Sequence, residues 1–225
     1  MPRRKPTAII TVLHTPPAPN GGEFSTTYTA RALKAIAATV PGKDDPRAHL
    51  RAVYVYPAGY AWATDGHRAL LAGPGLPATG AAMREHRDQH IAIAPDDIAR
   101  ALKLAGARGT IRVSATVRDQ PVTLAAVSAD GSPQGEITAR PLDVQPPPLD
   151  PIVAQCDDRL TDDAAPSAPK WAANPQYIVA AAEAMTAIGA STMVVRPGPS
   201  EMDPILVSGE SPDGRALAIV MPMRV

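Results

Sequence analysis

The chain has 225 residues, 45% of them hydrophobic, which suits one large domain or two modest ones around a buried core and excludes a disordered chain. Its 22 basic and 22 acidic side chains cancel, so only a local concentration of charge can argue for nucleic acid. A single cysteine, Cys156, excludes an intramolecular disulfide and a cysteine-rich metal knuckle, and no apolar run is long enough to cross a bilayer.

Aromatics make up only 4%, so Ala, Val, Ile and Leu must do the packing. The basic start, Met1 to Pro6, leads into a short β-branched stretch, Thr7 to Leu13, with no small-residue cleavage site after it. That stretch reads as a first strand rather than a signal peptide, and the expected address is the cytoplasm. Pro16 to Gly22 is turn chemistry. Thr29 is placed to cap a helix from Ala30 to Thr39, where Leu33, Ile36, Ala37 and Val40 make one apolar stripe ended by Pro41-Gly42. Three strands are expected next, at His49 to Tyr56, Tyr60 to Thr64 and His67 to Ala72, parted by Pro57-Ala58-Gly59 and Asp65-Gly66 turns.

The pattern recurs. His90 to Ala94 reads as a strand, Pro95-Asp96-Asp97 opens a helix through Ala105, and strands follow at Thr110 to Val117, Pro121 to Ser128 and Gly135 to Ala139. Prolines then crowd between Pro141 and Pro151, with Asp157-Asp158 and Asp162-Asp163 beyond, as in a linker or surface excursion. The unit begins a third time with a short strand at Trp171 and a helix from Asn174-Pro175 through Ile188, stopped by Gly189. Strands are expected at Thr192 to Arg196, Ile205 to Ser208 and Ala216 to Met221. A strand-helix-three-strand unit repeated in this way predicts an α+β fold of symmetric architecture, with helices on one face of antiparallel sheets.

Two segments carry a resemblance. Ala63-Thr64-Asp65-Gly66-His67-Arg68 resembles the strand-turn-strand signature in the middle domain of bacterial DNA polymerase III β sliding clamps. Ile219-Val220-Met221-Pro222-Met223-Arg224-Val225 resembles that family's C-terminal tail. On this resemblance residues 1–143 form one complete clamp-like domain, 144–169 a Pro/Asp-rich linker and 170–225 half of another, with the family's first domain and half of its third missing.

The resemblance implies a non-enzymatic replication processivity scaffold without cofactors. It would bind short linear motifs of polymerases and related proteins in a pocket of Leu50, Thr64, Gly66, His67, Arg68, Ala69 and the tail residues Ile219, Val220, Met221, Pro222, Met223, Arg224 and Val225. The family has a large apolar residue where Ala69 stands, which predicts a wider pocket on that side. Adaptable Met221 and Met223 and the apolar Leu50, Ile219 and Val225 suit anchor-in-pocket recognition on chemical grounds alone. Family helices face duplex DNA without reading its bases, which makes Arg31, Lys34, Arg100, Lys103 and Arg108 the DNA-facing candidates. A ring from three helix units per chain would take four copies, or another partner arrangement. A truncated relative that binds peptides as an adaptor or competitor, without encircling DNA, is the alternative.

Other motifs are weaker. Asp65 beside His67 has no accompanying nucleophile. His86 and His90 have helical spacing but no third metal ligand, and a solvated pair explains them better. Gly73, Gly75 and Gly80 lack the Lys-Ser/Thr and the helix of a phosphate loop. Cys156 sits in an acidic stretch that gives it no activating environment.

Overall fold

The computed structural model describes residues 24–77, 83–84, 89–115, 121–149, 151–153, 173–198, 200, 202–211 and 214–223. The strand expected at Thr7 to Leu13, the Pro16 to Gly22 turn, the Trp171 strand, Gly80, His86, Cys156, Arg224 and Val225 lie outside them.

The first described strand, β1 (Phe24–Thr29), was not expected from sequence, because its Ser and Thr residues mask the alternation. Phe24, Thr26 and Tyr28 turn inward from it and the residues between turn outward. Its last residue caps helix α1 (Ala30–Ala37): the extended backbone of Thr29 brings Oγ1 to accept from the Ala32 N–H at 3.2 Å. Helix α2 (Pro95–Ala105) begins on its proline, carries Asp96 and Asp97 in its first turn, and ends at Gly106. Helix α3 (Pro175–Ala187) is capped by Asn174, whose side chain accepts from the Gln176 N–H. The remaining strands are β2 (Val53–Tyr56), β3 (Tyr60–Thr64), β4 (Arg68–Ala72), β5 (Ile91–Ile93), β6 (Thr110–Ala115), β7 (Val122–Val127), β8 (Pro133–Ala139), β9 (Met193–Arg196), β10 (Ile205–Ser211) and β11 (Gly214–Val220).

The strand predicted from His49 begins only at Val53, and a 3-10 turn over Ala48–Leu50 precedes it. Leu50 therefore sits in a turn, with its Cδ1 beside Gly66, rather than on a strand.

The strands form two antiparallel sheets, one ordered β1-β6-β7-β8 and the other β5-β2-β3-β4-β11-β10-β9. Leading strands are exchanged: β1 leaves its own unit to pair with β6, and β5 crosses back to pair with β2. The larger sheet also joins the first repeat to the third, because β4 pairs with β11. All three helices pack against sheet. One buried cluster lies on the helix side, with Leu33, Ile36, Ile98, Leu70, Val207 and Val220 among its members.

The opposite face of the larger sheet is also covered. There Tyr54, Trp62, Ala69, Leu71, Leu206 and Ile219 form a second buried cluster with Leu149 and Val153. The described start of the stretch expected as a linker is thus seated on the sheet. The Leu142 N–H donates to the Ala92 carbonyl at 2.9 Å, and the Tyr54 hydroxyl, which donates to the His49 carbonyl, also lies 3.2 Å from that of Gln145. Leucine and valine supply the anchors, and a helical turn brings the Val153 N–H to the Leu149 carbonyl at 2.9 Å.

Close backbone approach explains some of the glycines. A Cβ on Gly75 would stand 1.6 Å from the Ala58 carbonyl oxygen, and one on Gly73 2.3 Å from that of Gly59. These glycines let two backbone segments touch and cradle no phosphate. Gly109 is similar, because a Cβ there would meet the carbonyl oxygens of Ala105 at 2.2 Å and Val127 at 2.3 Å. Gly109→Ala should therefore cost about 2–3 kcal/mol in equilibrium denaturation, since backbone rather than a side-chain tip must move.

Candidate peptide-binding junction

The signature turn is built by short-range hydrogen bonds. Asp65 Oδ1 accepts from the His67 N–H at 2.9 Å and the Arg68 N–H at 3.0 Å, while Oδ2 pairs with Arg68 Nε at 3.0 Å. Thr64 Oγ1 accepts from the Gly66 N–H at 3.0 Å and donates to the Arg68 carbonyl at 2.7 Å. Gly66 has φ +90°, a left-handed conformation that favours glycine. A Cβ there would also come within 2.7 Å of Arg47 Nη1 and 3.5 Å of Leu50 Cδ1. Arg47 supports the turn from below by donating to the Asp65 carbonyl at 3.2 Å and pairing with Asp45 at 2.7 Å. That hydrogen-bonded guanidinium pulls the Asp45 carboxyl down to about 2.

The tail runs beside the turn. In the β4–β11 ladder Ile219 lies opposite Ala69 and Val220 opposite Arg68, and the Met221 N–H donates to the His67 carbonyl at 2.9 Å. Pro222 has no N–H to continue the ladder. Met223 beyond it is 51% exposed.

Strand alternation divides the expected pocket residues between two faces. Ala69 and Ile219 point to the outer cluster, and Val220 to the helix-side cluster. Arg68 lies on the helix side as well, with its guanidinium 6.0 Å from the centre of the Tyr177 ring on α3. His67 stacks on the same ring, with centroids 5.8 Å apart and planes 11° from parallel. These two side chains therefore tie the turn to α3, where sequence reasoning assigned them to a peptide's polar groups.

The pocket walls are also less open than expected. Leu50, Ala69 and Ile219 are only 3%, 5% and 2% exposed. Ala69 does not leave a wide gap, because the outer cluster that includes Leu149 and Val153 covers it. Gly66, His67 and Met223 are the exposed residues of the junction, and Met221 and Pro222 are half-buried.

On the helix side a groove of about 950 Å³ runs between the three helices. Alanines such as Ala35, Ala99 and Ala184 line it, together with Arg31, Lys34, Lys103 and, unanticipated from sequence, Arg68. Glu183 is its acidic member. Of the other candidate cations, Arg100 is ion-paired with Asp97, one turn back on its helix, and Arg108 is exposed past the end of α2. Neither lines the groove. Tyr177 was the residue missed altogether, because its role arises only when the third repeat docks on the first.

Solved structures match this arrangement. The chain superposes on the polymerase III β subunit of Caulobacter crescentus with a TM-score of 0.56 and 16% identity, covering 92% of this chain and 68% of that one. The β subunit of Thermotoga maritima gives a TM-score of 0.57 at 14% identity, with 96% and 69% covered. The sliding clamp of Bartonella birtlesii, solved bound to griselimycin, gives 0.56 at 15%, with 93% and 68% covered. This chain has the β sliding-clamp fold. No family model matches the sequence, and no curated protein matches it either. At these identities the agreement with known clamps lies in the fold, and the clamp-fold chain spans about two thirds of each of those chains.

The turn depends on one carboxylate. Asp65→Ala removes the acceptor of two backbone N–H groups and the partner of Arg68, so it should cost about 1–3 kcal/mol in chemical denaturation. Asp65→Asn keeps one acceptor oxygen and should cost less than the alanine substitution in the same assay.

Proposed function

We propose that this chain is a clamp-type replication scaffold that holds short linear motifs of polymerases or related proteins at the junction of the Thr64–Arg68 turn and the tail. The observation that carries the reading is the seating of the tail. Two segments distant in sequence are locked by the Met221-to-His67 hydrogen bond, which leaves Met221, Pro222 and Met223 beside a rigid turn. Methionines at such a rim adapt to different apolar anchors, and the fixed turn lowers the ordering cost.

Two or three buried anchors, at about 1.5–3 kcal/mol each, less the cost of association, support roughly micromolar affinity. A fluorescently labelled peptide with such anchors should bind in an anisotropy titration. Deleting residues 221–225 should weaken it at least tenfold with little change in unfolding, and an unchanged affinity would overturn the pocket assignment. Leu50→Ala should weaken binding less, because Leu50 acts from beneath the turn.

The groove supports contact with duplex DNA. Arg31, Lys34 and Lys103 bring three cations to one concave surface beside Arg68, which is paired with Asp65, and Glu183 is the acidic residue of the lining. Such contact is independent of sequence and weakens steeply with salt. Reversing Arg31, Lys34 and Lys103 to Glu should abolish duplex binding at low salt. Arg100→Glu should cost far less, since Arg100 is already paired with Asp97.

Catalysis has no support from the turn. Both oxygens of Asp65 are occupied by hydrogen bonds within it, which leaves no carboxylate poised to work with His67.

A second reading, an adaptor that does not encircle DNA, is favoured by one observation. The strand β4 that makes the junction between repeats is already paired with β11 of the same chain, and the outer strands are β1 and β8 in one sheet and β5 and β9 in the other. Copies joined by the same kind of junction would each need a second, unpaired β4. In this reading the protein binds duplex but is not retained on circular DNA when salt is raised.

A further inference from the structure

The outer face of the larger sheet holds apolar walls that the chain fills with its own side chains. In register, Ala69 lies opposite Ile219 and Ile219 opposite Leu206, while Trp62 lies opposite Leu71 and Leu71 opposite Leu217. Trp62 and Ala69 are thus diagonal neighbours on one face of the β3–β4 pair, about 7–8 Å apart. Ala69 contributes a single methyl there, and Leu149 and Val153 complete the cluster over the face. The Val153 N–H bonds the Leu149 carbonyl, so these two side chains stand one helical turn apart. They lie against Ala69 and Ile219, the walls that the proposed function gives to a partner's motif.

The two halves of the covering segment are attached differently. Upstream, the Leu142 N–H bonds the Ala92 carbonyl, the Val144 carbonyl lies 3.4 Å from His90 Nε2, and the Gln145 carbonyl lies 3.2 Å from the Tyr54 hydroxyl. Pro146, Pro147 and Pro148 separate these contacts from Leu149. Downstream, the hydrogen bond among the described residues is the internal one from Val153 to Leu149, and apolar contact holds this half to the sheet. The floor beneath it is unfinished. Trp62 is 1% exposed and stacked on Tyr54 with centroids 5.2 Å apart, yet its Nε1–H has no acceptor among the described residues. A buried donor left unpaired is destabilising, and the side chains of Leu149 and Val153 offer it nothing.

We infer that residues 149–153 are a resident stand-in for the partner's motif, and that binding displaces them. The motif's apolar side chains take the places of Leu149 and Val153 beside Ala69 and Ile219, and one of its carbonyl oxygens accepts from Trp62 Nε1. This rests on the peptide reading proposed above and adds to it the floor of the site and an internal competitor. The chemistry that fits is a segment with two apolar side chains about 5–6 Å apart, the separation of neighbours one helical turn apart, and an acceptor between them. Apolar burial lost by the resident segment is regained by the motif. The hydrogen bond to Trp62 and the contacts at the rim therefore supply the net affinity, and the competitor holds it down.

Titrating the labelled two-anchor peptide against the full chain tests this. Leu149→Ser combined with Val153→Ser loosens the resident segment and should tighten the peptide about fivefold or more, because the competent state is more populated. Were these residues a fixed wall of the site, the same change would weaken binding, and that result overturns the inference. Trp62→Phe keeps a ring and removes the N–H. It should weaken the peptide about three- to tenfold, and an unchanged affinity counts against the assigned hydrogen bond and overturns it. Trp171 is the other tryptophan, so in Trp171→Phe protein the remaining indole N–H resonance belongs to Trp62. It should move downfield as peptide saturates the natural site, and a resonance that stays in place overturns the inference without any change to the resident segment. Failure here is distinct from failure of the peptide reading. Binding that depends on residues 221–225 but gives none of these three results removes the resident-segment inference alone, whereas no binding to the natural chain or to the loosened variant removes both.

Discussion

The architecture depends on the antiparallel ladder between β4 and β11. It joins the first repeat to the third, so that residues 68–72 and 216–220 form neighbouring strands of one sheet. Every feature of the candidate junction follows from it. The tail lies beside the signature turn because the ladder delivers it there, and the Met221 N–H reaches the His67 carbonyl as the next rung. Helix α3 arrives with β11, which brings Tyr177 under His67 and Arg68. Without this ladder the chain would be one two-sheet unit with an unattached strand-helix fragment.

The ladder also assigns chemistry to faces. In a strand, neighbouring side chains point in opposite directions, so Arg68 and Ala69 cannot serve the same surface. Arg68 joins the cationic groove on the helix side, and Ala69 joins the apolar cluster on the other. The apolar cluster and the cationic groove thus lie back to back on a sheet one layer thick. They share the same five-residue turn, whose geometry is fixed by hydrogen bonds to Asp65 and Thr64.

Most of the secondary structure was legible in the sequence because its signals are local. Thr29, Pro95 and Asn174-Pro175 mark helix starts by satisfying or omitting N–H groups that a helix leaves unpaired, and Gly106 and Gly189 mark the ends. Strand β1 is not visible in the sequence because its Ser and Thr residues, exposed at Ser25 and buried at Thr26, look like loop chemistry until β6 lies alongside. The turn over Ala48–Leu50 was read as strand because its apolar leucine is buried from a turn rather than from a pleat. At the candidate site the two segments were visible as strings, and their adjacency could be expected only from the resemblance. The side-chain assignments were harder, because His67 and Arg68 find their partner on a helix more than a hundred residues away. The prolines after Pro141 were read as linker chemistry, yet Leu142, Leu149 and Val153 among them pack against the sheet. Burial of isolated apolar residues in an irregular segment leaves no periodic trace.

The exchange of leading strands bears on how the chain reaches this state. Strand β1 pairs with β6, so that Phe24 lies opposite Ala115, while β5 returns to β2. Neither half of the first 143 residues can complete its own sheet from its own sequence. Each must wait for a strand contributed by the other, and the intervening loops must close before either ladder is rewarded. The two halves are therefore bound to fold as one cooperative step. During synthesis β1, α1 and β2 to β4 emerge as an unfinished sheet, with both its β2 and β4 edges unpaired until later residues leave the ribosome.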